Sequence, residues 1–440
     1  MADSAIDDLH QFHRTHVREL NRVRGLKERL FPPFSRRHLA ALALKEAIVR
    51  SVPFDLLRLT RFALSARVTP DNFYLHHLDV NWARRNDYLF NDEMRTVIPA
   101  ICRAVAADDW STLGDKRTFA ARCTSAGLPV AQTLGEYCAG CEMSFDATAS
   151  YQRDLFAKFT DRCCGDGAMA LAFKDGKHLT PSGSLALPEL RKYLTDRSVQ
   201  SPVLLQPRYV NCDELKPISG SALATVRVVT AKPKAGAPQV ILAILRMGTG
   251  SAVADNFALG GIASPIVIES GRLGPAADKK QARRLETHPD TGATIAGRQI
   301  PDWSAVLTLA LAAHDAFPTM PTVGWDVAVI EGGQPMLMEG NSVWCADLAQ
   351  VSHDKPLADT RLPAILSEYI CDTLGTGPQR RLASVLDDMP CEPIPKNSDQ
   401  WPGTRGSARA TATKRTRVTW RDPARKAGVR RSLTSLALHQ

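Results

Sequence analysis

Two short apolar runs, residues 326–330 and 335–338, are separated by residues 331–334, which read Glu-Gly-Gly-Gln. A Gly-Gly pair between apolar runs is typical of a tight β-hairpin. Similar apolar and β-branched runs predict further strands upstream, and runs of helix formers predict helices between them. The predicted strands are residues 154–158, 169–173, 201–213, 222–230 and 239–246, and the predicted helices are residues 116–127, 302–317 and 363–374.

The N-terminal part of the chain, from about residue 9 to residue 67, has the pattern of helices. Residues 39–49 are mostly strong helix formers, and a Pro-Pro pair at 32–33 ends the preceding helix. A basic helical segment could lie on a membrane surface, but Asp and Glu interrupt the basic face of this one. A lid or packing layer on the following domain is the favoured interpretation, and residues 70–110 continue the helical region.

Length and composition indicate a globular protein of two or three domains, since 440 residues with 44% apolar content can bury a sizeable core. No apolar run reaches about 18 residues, so no transmembrane segment is expected. The acidic first residues lack the pattern of a secretory signal. The ten cysteines show no disulfide framework, and we expect free thiols and a cytoplasmic location. The cysteines concerned are Cys138, Cys141, Cys163 and Cys164.

The net charge of +9 is concentrated at one end of the chain. Residues 376–440 contain 13 Lys or Arg and 5 Asp or Glu, so the rest of the chain is almost neutral. A nearly neutral body argues against a groove that binds a specific nucleic acid. The tail is rich in Ser, Thr, Pro, Gly and Arg, which predicts disorder and makes contact with anionic surfaces an option.

Three oxygen-bearing residues lie at the ends of the predicted hairpin. Asp326 is expected to open the first strand, and Glu339 and Asn341 to leave the second. The start of one antiparallel strand lies beside the end of its partner, and residues two apart share a face. The three side chains can therefore converge into a hard anionic site of the kind that Mg²⁺ prefers. The alternative is an ordinary hairpin with polar ends.

The spacing Asp-x12-Glu-x-Asn, preceded by Gly-Trp, resembles the metal signature of the ATP-grasp superfamily. The chain most resembles the sugar-transfer-associated ATP-grasp family, which is related to α-L-glutamate ligase-like proteins, over roughly residues 113–374. The resemblance implies an α+β fold that grips ATP, with two Mg²⁺ ions on Asp326, Glu339 and Asn341. The expected divisions are an N-terminal helical region (1–112), ATP-grasp subdomain 1 with the phosphate loop (113–205), subdomain 2 with the metal hairpin (206–375) and a disordered basic tail (376–440).

The resemblance also implies residues that contact phosphate. Lys116 stands at the start of a predicted helix and Lys158 at the end of a predicted strand. Gly165 and Gly167 lie where the family has its phosphate-covering loop, and glycines let backbone N–H groups approach a phosphate closely. The alternatives are a solvated lysine at position 116 and a plain hairpin turn at the glycines. No Walker motif is present.

Contacts with the nucleoside are implied by spacing within the family pattern. Gln206 stands where relatives have an adenine-contacting Glu, and its amide can still hydrogen-bond an adenine edge. Asp213 follows seven residues later, where relatives have a carboxylate that holds the ribose hydroxyls.

Two predicted strands carry Arg227 and Arg246, and the family has arginines at both places. Pointing into the cleft, they would clamp a carboxylate or a transferring phosphoryl group. The alternative is that they are exposed strand arginines. Many ligases of the superfamily have an Arg two residues before the metal Asp, where this chain has Gly324. The charge that stabilises an acylphosphate is therefore expected from Arg246 or Arg227.

The implied activity is ATP- and Mg-dependent ligation of a carboxylate to an amine or a thiol through an acylphosphate. The substrates would be small molecules, and the family name associates them with sugars and with polysaccharide or cell-surface biosynthesis. Two alternatives stay open at this point. One is an ATP-grasp kinase that phosphorylates a small substrate, and the other is a non-catalytic nucleotide-binding protein.

Overall fold

A computed structural model describes the chain in ranges that are separated by gaps. The predictions for Cys163, Cys164, Gly165 and the basic tail lie outside the described residues. Of two compact units, only the first, Met1–Glu392, contains described residues. The described residues are 2–23, 35–49, 55–150, 152–162, 167–220, 222–250, 255, 257, 260–278 and 284–374.

Helices and strands occur throughout the described ranges, joined by turns and loops. In chain order, the helices are α1 Ala2–Val23, α2 Arg36–Val49, α3 Leu56–Ala66, α4 Asn72–Leu75, α5 Asn91–Val105, α6 Ala107–Gly114, α7 Lys116–Ser125, α8 Ala147–Ser150, α9 Leu187–Arg197, α10 Lys216–Ser219, α11 Trp303–Asp315, α12 Ala346–His353 and α13 Leu362–Leu374. The strands are β1 Gly135–Cys138, β2 Cys141–Phe145, β3 Leu155–Phe159, β4 Met169–Leu171, β5 Phe173–Lys174, β6 Lys177–Thr180, β7 Gly183–Leu185, β8 Val203–Pro207, β9 Thr225–Ala231, β10 Gln239–Met247, β11 Ile262–Ile266, β12 Ala276–Asp278, β13 Arg284–Leu285, β14 Thr322–Val329 and β15 Pro335–Asn341.

A five-stranded sheet in the order β2-β1-β8-β3-β4 forms the first half of the fold. One face of β3 and β8 packs against α9 in a core of its own. The other face carries Lys158 and Gln206, because Lys158 is paired with Leu204 and Gln206 with Phe156. Cys138 and Cys141 of this sheet are free thiols, and β5, β6 and β7 form a separate small sheet.

A seven-stranded sheet in the order β13-β12-β11-β10-β9-β14-β15 forms the second half. The predicted hairpin is β14 and β15, and its turn contains Gly332 and Gly333 with φ of 88° and 82°. Both strands are longer than the sequence pattern predicted, so Asp326 does not open a strand. β14 begins earlier because Val323 and Trp325 bury their side chains in the core.

The N-terminal helices α1 and α5 belong to the main core of the molecule. Leu9 of α1 and Ile98 of α5 are buried in one cluster with Leu366 of α13 and with the core face of the seven-stranded sheet. Of the interpretations offered by the sequence, these two helices therefore match the packing layer. No helix among the described residues combines the length and the apolar character that crossing a membrane requires.

Candidate active site

The three oxygen-bearing residues of the hairpin lie together on one face of the seven-stranded sheet. Asp326 is paired with Glu339, and Gly324 is paired with Asn341. Directly opposed residues and residues two apart share a face of a sheet. Asn341 donates from Nδ2 to Oδ2 of Asp326 over 3.3 Å. The structure thus brings together the three residues that the sequence singled out, and their roles stay a prediction.

Two arginines from the neighbouring strands hold Asp326. Arg227 of β9 is opposite Asp326, and its Nε and Nη2 donate to Oδ1 and Oδ2 at 2.5 and 3.1 Å. Arg246 of β10 places Nη2 2.8 Å from Oδ2 of Asp326. The side chains of Arg227 and Arg246 are 7% and 15% exposed, so the alternative of exposed strand arginines does not hold.

These ion pairs determine the charge states of the cluster. Burial alone would raise the pKa of Asp326, but Arg227 and Arg246 outweigh burial and hold the pKa below its usual range. Burial alone would lower the pKa of Arg246, but Asp255 and Asp326 outweigh it and raise the pKa above its usual range. Asp326 is therefore ionised and Arg246 is charged at neutral pH.

Thr225 and Asp255 also hold Arg246 in place, and the sequence motifs do not assign this role to either residue. Nε and Nη2 of Arg246 donate to Oγ1 of Thr225 at 3.2 and 2.7 Å. Thr225 donates its backbone N–H, at 3.1 Å, and its hydroxyl to Oδ2 of Asp255. Thr225 lies two positions before Arg227, so strand alternation is the signal that places it on the same face.

Lys116 and Lys158 bring two ammonium groups toward Glu339. Lys116 places Nζ 3.5 Å from Oε1 of Glu339 and donates to the carbonyl oxygens of Thr160 and Arg162 at 3.2 and 3.0 Å. It therefore links the end of β3 to β15 and is not simply solvated. Burial lowers the pKa of Lys158 and Lys116 lowers it further, although Glu339 opposes the shift. Within the described part of the chain, Lys158 has no hydrogen-bond partner.

The one described glycine of the predicted phosphate loop, Gly167, is required by backbone and packing. Its φ is 70°, and a Cβ there would lie 2.1 Å from Cε2 of Phe159. Arg197 donates from Nη2 to the Gly167 carbonyl at 2.9 Å. The guanidinium groups of Arg162 and Arg197 lie 4.8 and 4.7 Å from the centroid of the Phe159 ring. Gly167 and the Phe159 ring beside it are therefore accompanied by two cationic side chains.

The two predicted nucleoside contacts differ in their surroundings. Gln206 is 4% exposed, shares a sheet face with Lys158, and donates from Nε2 to the Ala131 carbonyl over 3.4 Å. Asp213 has a 90% exposed side chain that pairs with Lys216 at 2.7 Å. Lys216 also lies 3.5 Å from Glu331 in the hairpin turn. Asp213 therefore lies at the turn end of the hairpin, and both nucleoside roles stay predictions.

Gly324 provides the space through which Arg227 reaches Asp326. A Cβ at position 324 would lie 2.8 Å from Cβ of Trp344 and 2.9 Å from Cδ of Arg227. Contacts this short are essentially never seen, so the position accepts no side chain without movement of its neighbours. A guanidinium group therefore reaches this side of Asp326 from β9 and not from position 324.

The donor set suits one magnesium ion better than the two that the family resemblance implies. Glu339 is 35% exposed, and its nearest cationic group among the described residues is Lys116 at 3.5 Å. Asn341 donates from Nδ2, which leaves its Oδ1 as an acceptor. Asp326 does not fit well as a ligand in this arrangement, because two guanidinium groups lie against it and its Oδ2 already accepts from Arg227, Arg246 and Asn341. No group of three or more His, Cys, Asp or Glu side chains that could hold a metal is present in the described ranges.

Comparison with protein families matches residues 104–365 to the family described as sugar-transfer associated ATP-grasp. Among solved structures, the D-alanine–D-alanine ligase from Bacillus anthracis is 14% identical, with 61% of this chain and 71% of that chain covered and a TM-score of 0.34. The VanG D-Ala:D-Ser ligase from Enterococcus faecalis is 10% identical, with 59% and 63% covered and a TM-score of 0.35. The D-cycloserine synthetase DcsG is 15% identical, with 68% and 81% covered and a TM-score of 0.35. Comparison with curated proteins gives no match.

Proposed function

Because the chain belongs to the sugar-transfer associated ATP-grasp family, we propose that it is an ATP-dependent ligase that joins a carboxylate to an amine or a thiol. The family match confirms the resemblance and the α+β ATP-grasp fold expected from the sequence. The observation that carries the proposal is a cluster of cationic side chains around the carboxylates of the hairpin, as expected for a site that binds a polyphosphate. The cluster consists of Lys116, Lys158, Arg227 and Arg246.

The guanidinium groups of this cluster have donors left for phosphate oxygens. Arg227 uses Nε and Nη2 on Asp326, and Arg246 uses Nε and Nη2 on Thr225 and Asp326. The Nη1 group of each has no hydrogen-bond partner within the described ranges. An arginine that is already held by a carboxylate loses little further entropy when it binds an anion. We propose that these arginines and the two lysines bind the β- and γ-phosphates of ATP.

A magnesium ion that accompanies ATP would be held by Glu339 and Asn341. Such an ion neutralises charge on the β- and γ-phosphates when bound. For the rest of the nucleotide, we propose that Gln206 contacts the adenine, Asp213 the ribose, and the loop containing Gly165 and Gly167 the phosphates. The position of Gln206 on the same face as Lys158 supports this direction of binding.

The proposed reaction has two steps. A substrate carboxylate oxygen attacks the γ-phosphorus of ATP, the bond from that phosphorus to the β,γ-bridging oxygen breaks, and ADP leaves. The amine or thiol of the acceptor then attacks the acylphosphate carbon, loses a proton and releases phosphate. Such chemistry needs positioning and charge neutralisation more than a protein acid or base. Arg227 and Arg246 would stabilise the negative charge on the acylphosphate.

The substrate class and the location follow from association and are also proposals. The family name supports an acid or acceptor linked to a sugar, as in polysaccharide or cell-surface biosynthesis. Free thiols such as Cys138 and Cys141, together with the need for ATP, support a cytoplasmic location.

Assays of ADP and phosphate release with a library of acids, with and without amine acceptors, test the function. A ligase should release both products only when acid and acceptor are present. ADP with a stable phosphoester would instead indicate a kinase, and no turnover with bound ATP would indicate a nucleotide-binding protein.

A pair of variants connects turnover to the site. Glu339→Gln should abolish turnover and leave the fold intact, because it removes the carboxylate proposed to hold the ion. Lys192→Met, at a side chain that is 79% exposed, is the control and should retain wild-type turnover. Wild-type turnover in Glu339→Gln would remove the assignment of Glu339.

A further inference from the structure

Both carboxylate oxygens of Asp326 accept from protein donors, Oδ1 from one and Oδ2 from three. An ionised carboxylate offers about four lone-pair positions. Arg227 donates from Nε at 2.5 Å and from Nη2 at 3.1 Å, Arg246 places Nη2 at 2.8 Å, and Asn341 donates from Nδ2 at 3.3 Å. A metal ligand needs a lone pair directed at the ion. A cation could therefore reach Asp326 only through the remaining lone pair of Oδ1, beside Nε of Arg227, or by displacing one of these donors.

Displacement of an arginine from Asp326 is unfavourable in these surroundings. The side chains of Asp326 and Arg227 are each 7% exposed. Separating a buried ion pair leaves a charge without compensation, and two guanidinium groups at this distance repel a divalent cation brought to the same oxygens. The electrostatics around Asp326 therefore favour contact of its carboxylate with the two arginines over contact with a metal ion.

Both arginines also make contacts with residues other than Asp326, and these contacts restrict their positions. Oγ1 of Thr225 accepts from Nε and Nη2 of Arg246, and Asp255 accepts in turn from Thr225. The stem of Arg227 passes over Gly324, where a side chain would collide with it. Contacts on two sides hold each guanidinium group in one orientation, which is the arrangement expected of a preformed anion site.

We propose that Asp326 is a positioning residue that orients the guanidinium groups of Arg227 and Arg246 toward a bound polyphosphate, and that it is not a metal ligand. A single divalent cation, held by Glu339 and Asn341, then serves the site. The two guanidinium groups supply the positive charge that a second ion would otherwise provide. The inference rests on the proposed function only in taking the polyphosphate to be that of ATP.

Binding of inorganic tripolyphosphate in EDTA, followed by isothermal titration calorimetry, separates the two roles of Asp326 because no metal takes part. If Asp326 positions the arginines, Asp326→Asn should bind about tenfold more weakly, since the guanidinium groups lose their fixed orientation. If Asp326 is only a metal ligand, removing its negative charge should strengthen the binding of an anion or leave it unchanged. Either of those two results overturns the proposal.

Two further variants accompany this measurement. Asp196→Asn removes a carboxylate that is 68% exposed and should leave tripolyphosphate binding unchanged. Thr225→Val changes no charge and keeps the shape of the side chain. It removes only the hydroxyl that accepts from Nε and Nη2 of Arg246. It should weaken binding in EDTA, and unchanged binding would contradict the proposal even if circular dichroism shows that Asp326→Asn does not fold.

The number of bound cations is a second test. Electron paramagnetic resonance of Mn²⁺ with β,γ-imido-ATP should count one ion per bound nucleotide in the wild type and in Asp326→Asn. In Glu339→Gln the affinity for that ion should be lower. Two ions in the wild type, falling to one in Asp326→Asn, would overturn the proposal. The tripolyphosphate measurement uses neither ATP turnover nor an acid substrate, so failure of the ligase assay and failure of this inference are distinguishable.

Discussion

Gly324 is the residue on which the position of Arg227 depends. An added Cβ would lie 2.8 Å from Trp344 and 2.9 Å from the Arg227 stem, so Gly324→Ala should push Arg227 away from Asp326. We expect turnover to fall about tenfold or more, because small displacements of charged groups at a reacting centre are costly. The release of ADP measures the loss. Gly114→Ala, where nothing lies within 4 Å of the added Cβ, is the control, and an equal loss in both variants would contradict this explanation.

Asp92 makes stability depend on pH in an unusual direction. Burial raises its pKa to about 7, although the Thr69 backbone N–H, which donates to Oδ2 at 2.8 Å, opposes the shift. The folded protein thus binds this proton more tightly than the unfolded chain does. The stability gained from that proton is complete below the unfolded pKa of about 4 and is lost as pH rises toward about 7.

Asp92→Asn should therefore stabilise the protein at pH 8 relative to the wild type. The difference is at most about 4 kcal/mol, the size of a three-unit pKa shift, and it should shrink toward zero at pH 4. Urea unfolding at the two pH values measures it. Asp196→Asn is an exposed control that should show no such pH-dependent difference. A stability difference between Asp92→Asn and the wild type that is independent of pH would count against the explanation.

The hairpin shows what the sequence could predict about an element and what it could not. Gly332 and Gly333 predicted the turn, and the spacing of Asp326 and Glu339 predicted that they face each other. The partner of Asp326 could not be predicted, because Arg227 is 99 residues away and its position depends on the pairing of β9 with β14. Register between strands distant in sequence is determined by packing, which local patterns do not contain.

Helix α1 presents a row of buried histidines to its neighbours. His10 pairs with Glu93 at 2.6 Å, and His13 contacts Thr96 at 2.7 Å. His16 is 8% exposed, stacks on Phe12, and its Nδ1 is buried without a hydrogen-bond partner among the described residues. Burial, together with His13 and Arg103, lowers the pKa of His16 to about 4. Protonation of His16 is therefore disfavoured by the docked position of this helix.

We expect His16→Phe to remove part of the acid sensitivity of the protein. A histidine whose folded pKa lies below its unfolded value stabilises the fold above about pH 6.5, and this stability is lost as pH falls toward 4. The wild type should thus lose about 3 kcal/mol relative to His16→Phe over that range. The phenyl ring retains the stack on Phe12, whose centroid lies 5.7 Å away. Unfolding curves at pH 7 and 4.5 measure the effect, and parallel losses in both proteins would refute it.

Across the whole molecule, the sequence predicted the kinds of elements better than their assembly. The change of pattern near Lys116 predicted a helix that starts there, and α7 begins at that residue, whereas the family match begins earlier, at residue 104. The helices before it could be assigned only as a lid or a layer, because an apolar helix face does not identify its partner. In the structure, Leu9 and Ile98 share a core with Trp325, on the face of the seven-stranded sheet opposite to Asp326. The N-terminal layer and the site strands are therefore expected to unfold together.

Leu9→Ala tests this coupling. Leu9 is fully buried, so the variant should lose about 2–5 kcal/mol through lost burial and a residual cavity. Leu57→Ala, at a side chain that is 79% exposed, should change stability by no more than about 0.5 kcal/mol. Far-UV circular dichroism follows the helices, and fluorescence follows buried tryptophans such as Trp325. Because α1 and β14 share one core, both signals should shift to the same lower urea concentration in Leu9→Ala. A shift in the dichroism alone would show that the helical layer unfolds independently of the strands that carry Asp326 and its arginines.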